Sequence, residues 1–239
     1  MDRYELSNSE MHLIYEASDL LVRKCMKEKG AEWKRIDIPA SVANWRNRLH
    51  FGVIEIKVAR AFGYRVPSEL TAPSEVREVV DRMKRRFAAL DTARARQAEK
   101  CQDAAGGELT REAKASFATL NKLKEETYAE AQRAPEVIQA ERAWSACMRK
   151  SGLEYATPHQ ASTTPKWGDR SVGKASPDEV TAAVADVKCK HRVKLVAVRF
   201  AAEQKLERRA IKDNSEYLRT VAAANARYLA NARAVLSQG

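Results

Sequence analysis

Apolar positions along this chain recur by threes, fours and sevens, which is the spacing of one face of an α-helix. Met11, Ile14, Leu21 and Cys25 form one such stripe, and Val137, Ala140, Trp144, Cys147 and Met148 form another. Ser7-Asn8-Ser9-Glu10 reads as a capping box opening the first helix, because the Ser7 hydroxyl can accept an orphan N–H while Glu10 reaches back. Val53 to Phe62 reads as a short helix ended by Gly63. From Ser74, the positions Val76, Val80, Met83, Phe87, Leu90 and Cys101 follow steps of four and three, with Arg94 interrupting the seam. Gly106-Gly107 is expected to break that helix, and Leu109, Ala113, Phe117, Leu120 and Tyr128 to carry the next one back as an antiparallel hairpin. Pro135 opens a helix running to Gly152, and the polar stretch from Ser151 to Ala175 reads as the longest loop. Ser176-Pro177-Asp178-Glu179 supplies an N-cap, a first-turn proline and a capping glutamate for a long C-terminal helical region, with a break offered at Asp213-Asn214-Ser215.

The most informative feature is an internal repeat. Cys25-Met26-Lys27-Glu28-Lys29-Gly30-Ala31-Glu32-Trp33 aligns with Cys147-Met148-Arg149-Lys150-Ser151-Gly152-Leu153-Glu154-Tyr155, so both read Cys-Met-basic-x-x-Gly-x-Glu-aromatic. Each cysteine closes the buried stripe of a helix, and the following glycine suits the left-handed residue that ends one. The expected class is therefore all-α, with antiparallel helical hairpins in two halves, 1–132 and 133–239, which form either two cores or one shared core.

The four cysteines, Cys25, Cys101, Cys147 and Cys189, include no CxxC pair, which leaves two disulfides or four buried thiols. Two disulfides admit three connectivities. The repeat favours Cys25 with Cys101 and Cys147 with Cys189, one link per half.

Composition narrows the picture further. With 239 residues, 44% hydrophobic and 31% charged, the chain is too apolar for disorder and long enough for one sizeable core or two smaller ones. Its apolar runs, such as Leu195-Val196-Ala197-Val198, are far shorter than the roughly 20 residues of a membrane-spanning helix. Met1-Asp2-Arg3-Tyr4-Glu5 has neither the basic start nor the apolar segment of a signal peptide, so either the protein stays inside the cell or the sequence begins after a removed export signal. A net charge of +11 favours anionic partners through long-range attraction. Basic clusters fall at Arg82, Lys84, Arg85 and Arg86 and at Lys188, Lys190, Arg192 and Lys194. Acidic residues are interspersed nearly everywhere, so an ordinary solvated helical surface is the simplest reading of that charge.

Candidate chemistry is sparse. Gly168 to Lys174 has the spacing of a phosphate-binding loop, but Ala175 stands where magnesium needs a hydroxyl, and the residues before it do not read as a strand. His12, His50, His159 and His191 are scattered, and none has metal-ligand spacing on a helix; no metal site, cofactor or catalytic residue is expected. His191 reads as a surface residue, and Glu125-Glu126 as part of a solvated face. No helix-turn-helix or aromatic RNA-binding signature supports a nucleic-acid partner.

The loops after the two Cys-Met helices carry Trp33 and Trp45 in one half and Tyr155 and Trp167 in the other, near Arg46, Arg48, His159, Lys166 and Arg170. Flat apolar rings beside cationic donors suit recognition of a partner or a saccharide. The competing reading is that these rings cap the ends of the core.

Several segments together resemble a family of exported, often lipoprotein-like helical proteins of actinobacteria: the Cys-Met-x-x-x-Gly helix end, Ala61-Phe62-Gly63-Tyr64, Trp144-x-x-Cys147-Met148, and Ala185-Asp186-Val187-Lys188-Cys189-Lys190. The resemblance runs from about Tyr4 into the C-terminal helix. It implies an extracytoplasmic location, whether secreted or membrane-anchored, cysteines paired within each half, and no assigned activity. The chain departs from the pattern in lacking an export segment and in placing Gly106-Gly107 after Cys101 rather than before it.

The leading expectation is a noncatalytic cell-envelope module that binds a protein partner or an anionic envelope polymer. Its rivals are a cytosolic helical adaptor or nucleic-acid binder using the basic helices, and an enzyme whose site is assembled from residues distant in sequence.

Overall fold

A computed structural model describes residues 1–39, 49–67, 70, 72–113, 115, 117–169 and 173–238. Among them the protein is all-helical, with no strand. Among the described residues ten α-helices run as α1 (Asn8–Glu28), α2 (Ile56–Phe62), α3 (Ser74–Ala88), α4 (Thr92–Leu109), α5 (Phe117–Gln132), α6 (Pro135–Arg149), α7 (Pro158–Thr163), α8 (Pro177–Arg192), α9 (Leu195–Asp213) and α10 (Ser215–Ser237), with short 3-10 turns at Asp2–Tyr4 and Pro165–Trp167. None of these helices is long and apolar enough to cross a membrane.

The helix ends follow their local chemistry. Ser7 and Glu10 form the expected capping box, with the Ser7 N–H donating to Glu10 Oε2 at 2.7 Å and the Glu10 N–H to Ser7 Oγ at 3.3 Å. The single helix expected from Ser74 through Cys101 is instead two. Asp91 accepts from the Arg94 N–H at 2.8 Å and starts α4 afresh, and Val79 rather than Val80 is the buried valine of α3. Gly106-Gly107 does not end α4, which continues to Leu109. Ala105 and Leu109 are both buried there, and the burial outweighs a cost of about 1 kcal/mol per helical glycine.

The return helix begins only at Phe117, after a turn in which Glu112 takes φ 61°. The stretch from Ser151 to Ala175, expected as a loop, contains α7, capped by Thr157, and the 3-10 turn ending at Trp167. The C-terminal region breaks twice: at Asn214, as expected, and also at Lys194, which sits at φ 54°.

The chain divides into two compact units that interleave in sequence. Unit 1 is Met1–Asn44, Ala72–Leu120 and Asn214–Gly239, and unit 2 is Trp45–Thr71 and Asn121–Asp213. This differs from a division after residue 132, because the apolar stripe of α10 (Leu229, Ala232, Val235) packs with Ile14 and Ala17 of α1 and Leu109 of α4. In unit 1, α1 is apolar on two sides. One meets that cluster, and the other places Val22 and Met26 against Ala98, Cys101 and Ala105 of α4. The Cys25–Cys101 disulfide joins α1 to α4.

Unit 2 is built around α8, against which α2, α6, α7 and α9 pack. Ala59, Trp144, Met148, Ala161, Ala182, Ala183 and Val187 are fully buried there. The small residues Ala59, Ala182 and Ala183 let the backbones approach closely around the Trp144 ring. The Cys147–Cys189 disulfide joins α6 to α8. Both expected pairings are present, and no cysteine is left free.

Candidate functional site: a polar cleft in unit 2

The sequence gives α8 a stripe in which charge is in phase with apolar residues, since Asp186 and Lys190 sit one and two turns beyond Ala182 and Ala183. Both are buried, with side chains 0% and 3% exposed. All three Lys190 ammonium protons find acceptors: Asp186 Oδ2 at 2.9 Å, Val53 O at 3.0 Å and Phe51 O at 3.4 Å. Lys190 thus pins the segment before α2 onto α8 and is not part of a surface basic cluster. Asp186 Oδ1 accepts the Trp144 indole N–H at 2.9 Å. Burial pushes the Asp186 carboxyl up, while the Lys190 ammonium and the Trp144 N–H oppose that shift. Burial, and then the Asp186 charge, push the Tyr64 phenol well above its ordinary range.

The segment pinned by Lys190 forms one wall of a cleft of about 610 Å³, which also takes residues from α5, α6, α7, α8 and α9. His50 stands on that wall, with Nε2 at 2.7 Å from Glu203 Oε2 of α9, and its ring meets Phe51 and Tyr128 edge-on at 4.7 and 5.2 Å. Arg199 of α9 pairs with Glu141 of α6. Three polar atoms on lining residues are buried without a hydrogen-bond partner among the described residues: Tyr64 Oη, Gln132 Nε2 and Arg199 Nε. The Tyr64 hydroxyl interacts with the Asp186 carboxylate both through charge and through a side-chain hydrogen bond, but the geometry of that bond is too poor to satisfy it fully.

A second buried carboxylate fixes the neighbouring chain. Glu179, expected as a capping residue, does donate its N–H to Ser176 Oγ at 3.2 Å, but its carboxylate turns inward. There it accepts the Tyr64 N–H at 3.2 Å and Arg65 Nε at 2.9 Å. Arg65 in turn donates to the carbonyls of Trp167 and Asp169, holding the 3-10 turn beside α8. Gly63 permits this approach. It lies at φ 58°, and a Cβ there would come within 2.9 Å of the Ala175 Cβ and 3.1 Å of the Glu179 side chain.

Among the described residues expected to form a recognition surface, only His159 lines this cleft, and it is exposed. Trp33 and Trp167 are not surface rings. They are 6% and 4% exposed, and their indole N–H groups donate to Asp19 Oδ1 at 3.1 Å and Ala161 O at 2.7 Å. A buried indole with its N–H satisfied stabilises a core more than an exposed one, so these two rings cap the unit cores instead. Arg86 stacks over Trp33 at 4.0 Å and bonds Asp19 at 2.8 Å, which removes it from the solvated basic cluster of α3. Tyr155 is half-buried, and its carbonyl accepts from Ser145 Oγ at 2.6 Å. Trp45, Arg46, Arg48 and Arg170 lie outside the described residues. His191 is exposed, with Nε2 2.9 Å from Ile54 O.

Sequence reasoning missed His50, Tyr64, Tyr128, Gln132, Lys190 and Arg199. The one available signal was the pair Asp186 and Lys190, four apart and in phase with a buried stripe. Among the described residues, no group of three His, Cys, Asp or Glu side chains is placed to hold a metal ion. No protein-family model, curated protein or solved structure matches the chain.

Proposed function

We propose that this protein is a noncatalytic binding module of the cell envelope that holds its ligand in the unit 2 cleft. The observation that carries the reading is the set of buried, unpartnered polar atoms on Tyr64, Gln132 and Arg199 along one cleft. Leaving such a group unsatisfied costs about 1–3 kcal/mol, which a bound polar ligand recovers. Holding is favoured over transforming because the Thr163 hydroxyl at the cleft donates to the His159 carbonyl and not to an imidazole. Two disulfides support an oxidising, extracytoplasmic setting, in line with the resemblance to exported actinobacterial lipoprotein-like proteins. The +11 charge supports concentration near anionic envelope polymers, with the cleft providing selectivity.

The test is a titration of the full chain with enzymatically solubilised cell-wall material, followed by residue-resolved NMR. The expected result is saturable shifts centred on His50, Tyr128 and Gln132 that persist at 0.5 M salt. Shifts confined to surface lysines and arginines and abolished by that salt overturn the reading.

One observation favours a second reading. The His50–Glu203 pair orients an imidazole at the cleft wall, as a general base requires. Consumption of the added material by the native protein, lost in His50→Ala, would establish it.

A further inference from the structure

We infer that the unit 2 cleft takes a neutral, hydroxyl-rich ligand, a pyranose unit of a saccharide, laid against Tyr128 and hydrogen-bonded by Tyr64, Gln132 and Arg199. This rests on the reading of the cleft as a binding site and names what enters it.

The charge arrangement argues first. Among the described residues, each lysine and arginine on the cleft wall already has its own carboxylate, Lys190 with Asp186 and Arg199 with Glu141, and the His50 ring is held by Glu203. The Lys190 protons are all engaged, so among the described residues an entering anion meets no uncommitted lysine or arginine and lies against Glu141. An entering cation meets Arg199. Either ion would lose hydration without gaining a counter-charge, whereas a neutral ligand avoids that cost.

The hydrogen-bonding inventory then selects among neutral ligands. Tyr64 Oη, on a residue only 7% exposed and with no more than a poorly aligned contact to Asp186, and Arg199 Nε are donors with room for an acceptor oxygen, and the amide end of Gln132 wants a polar partner. Thr163 already donates its proton to His159 O at 2.8 Å, so towards the cleft it offers acceptor lone pairs. A group that both accepts and donates answers all four, and the hydroxyl is that group. Tyr128 is 40% exposed, with its ring held against His50, and presents the flat apolar surface on which the C–H face of a sugar ring packs. The volume of about 610 Å³ lies within the roughly 300–1,000 Å³ of small-molecule sites.

Calorimetric titration of the full chain, paired with NMR, uses three probes: cellobiose, glucose 6-phosphate and glucosamine. Cellobiose is expected to bind and to shift His50 and Tyr128. Tyr64→Phe and Gln132→Leu are each expected to weaken it about fivefold, the effect of one net hydrogen bond, with thermal unfolding unchanged. Gln132 is only half-buried, so its variant reads the site even if Tyr64→Phe perturbs the fold. Tighter binding of glucose 6-phosphate or glucosamine at the same residues overturns the neutral-sugar assignment and leaves the cleft a binding site. Cellobiose binding that neither variant weakens, or no shift at His50 or Tyr128 with any probe, also overturns it. The cell-wall titration above decides the site independently of the sugar's identity.

Discussion

At Gly30 and Gly152 the chain makes the same turn in two different units. The Ala31 N–H returns to Met26 O at 3.0 Å and the Leu153 N–H to Met148 O at 3.2 Å, while Gly30 and Gly152 donate to Lys27 O and Arg149 O at 3.0 Å each. Both are Schellman turns, with the preceding methionine fully buried and the adjacent cysteine bridged to another helix. Each unit also holds an indole, an aspartate and a cation in contact, but at different depths. In unit 1, Trp33 and Arg86 meet Asp19, which Arg23 also reaches from a side chain 33% exposed. In unit 2, Trp144 and Lys190 meet Asp186, and both charged side chains are sealed from solvent. One motif thus supports two outcomes: in unit 1 a clasp whose aspartate is also reached by a partly exposed arginine, and in unit 2 a sealed charge pair whose cation also secures the wall of a cleft.

The largest effects should be shared by the units. Closing loops of 76 and 42 residues restricts the unfolded chain by about 4.5 and about 4 kcal/mol. Denaturant-dependent hydrogen exchange, resolved by unit, should therefore show similar losses in Cys25→Ala/Cys101→Ala and in Cys147→Ala/Cys189→Ala. A loss confined to one unit would mean that the second bridge merely decorates packing already complete.

The depth of the aspartates should then separate the units. Asp186→Ala strands a buried ammonium with only two carbonyl acceptors, and an expected cost of about 3 kcal/mol follows. Asp19→Ala should cost less, about 2 kcal/mol, because it leaves the buried Trp33 N–H without its acceptor while Arg86 keeps its bond to Lys34 O at 2.6 Å and Arg23 reaches solvent. Equal losses in urea melts would remove the distinction drawn between the two triads.

The two Ser-x-x-Glu starts sharpen the same contrast. Glu179→Gln weakens a buried charge-assisted bond to Arg65 and should cost about 2 kcal/mol, whereas Glu10→Gln on an exposed cap should cost a few tenths. The Ser7 N–H and then its hydroxyl hold the Glu10 carboxyl below its usual value of 4.5. A lowered folded value means that its stabilisation is complete above that ordinary value and fades as pH falls through the lower one. Glu10→Gln should flatten that part of the acid limb, and an unchanged profile in melts from pH 6 to pH 3 would refute the cap's contribution.

Much of this architecture was legible in the sequence because its signals are local. The capping box at Ser7, the first-turn proline at Pro177, the glycine ends and the repeated Cys-Met pair each act within a few residues, and the repeat also indicated which cysteines meet. What could not be read depends on residues far apart. Asp91 restarts a helix inside an apolar pattern that runs through it, so periodicity alone joined α3 to α4. Glu179 carries the sequence of a cap, but Arg65, 114 residues away, claims its carboxylate. The tryptophans were visible, yet whether an indole faces solvent or core depends on partners such as Asp19 and Ala161 that no spacing rule identifies. The cleft escaped notice because His50, Tyr64, Gln132 and Arg199 converge only after α8 has gathered its neighbours.

The smallest effect tests whether the repeat is a structural device or a coincidence of letters. Gly30 and Gly152 lie at φ 70° and 73°, and a Cβ built at either meets nothing within 4 Å. Alanine at either position therefore incurs only the backbone strain of a left-handed residue, about 1 kcal/mol, with no steric addition. The two losses should agree within error despite the different surroundings, and asparagine, which tolerates this conformation, should lose less than alanine at both sites. If Gly152→Ala proved clearly costlier than Gly30→Ala, the turn in unit 2 would be carrying a constraint that its open surroundings do not explain. The repeat would then share its shape, but not its role, between the two units.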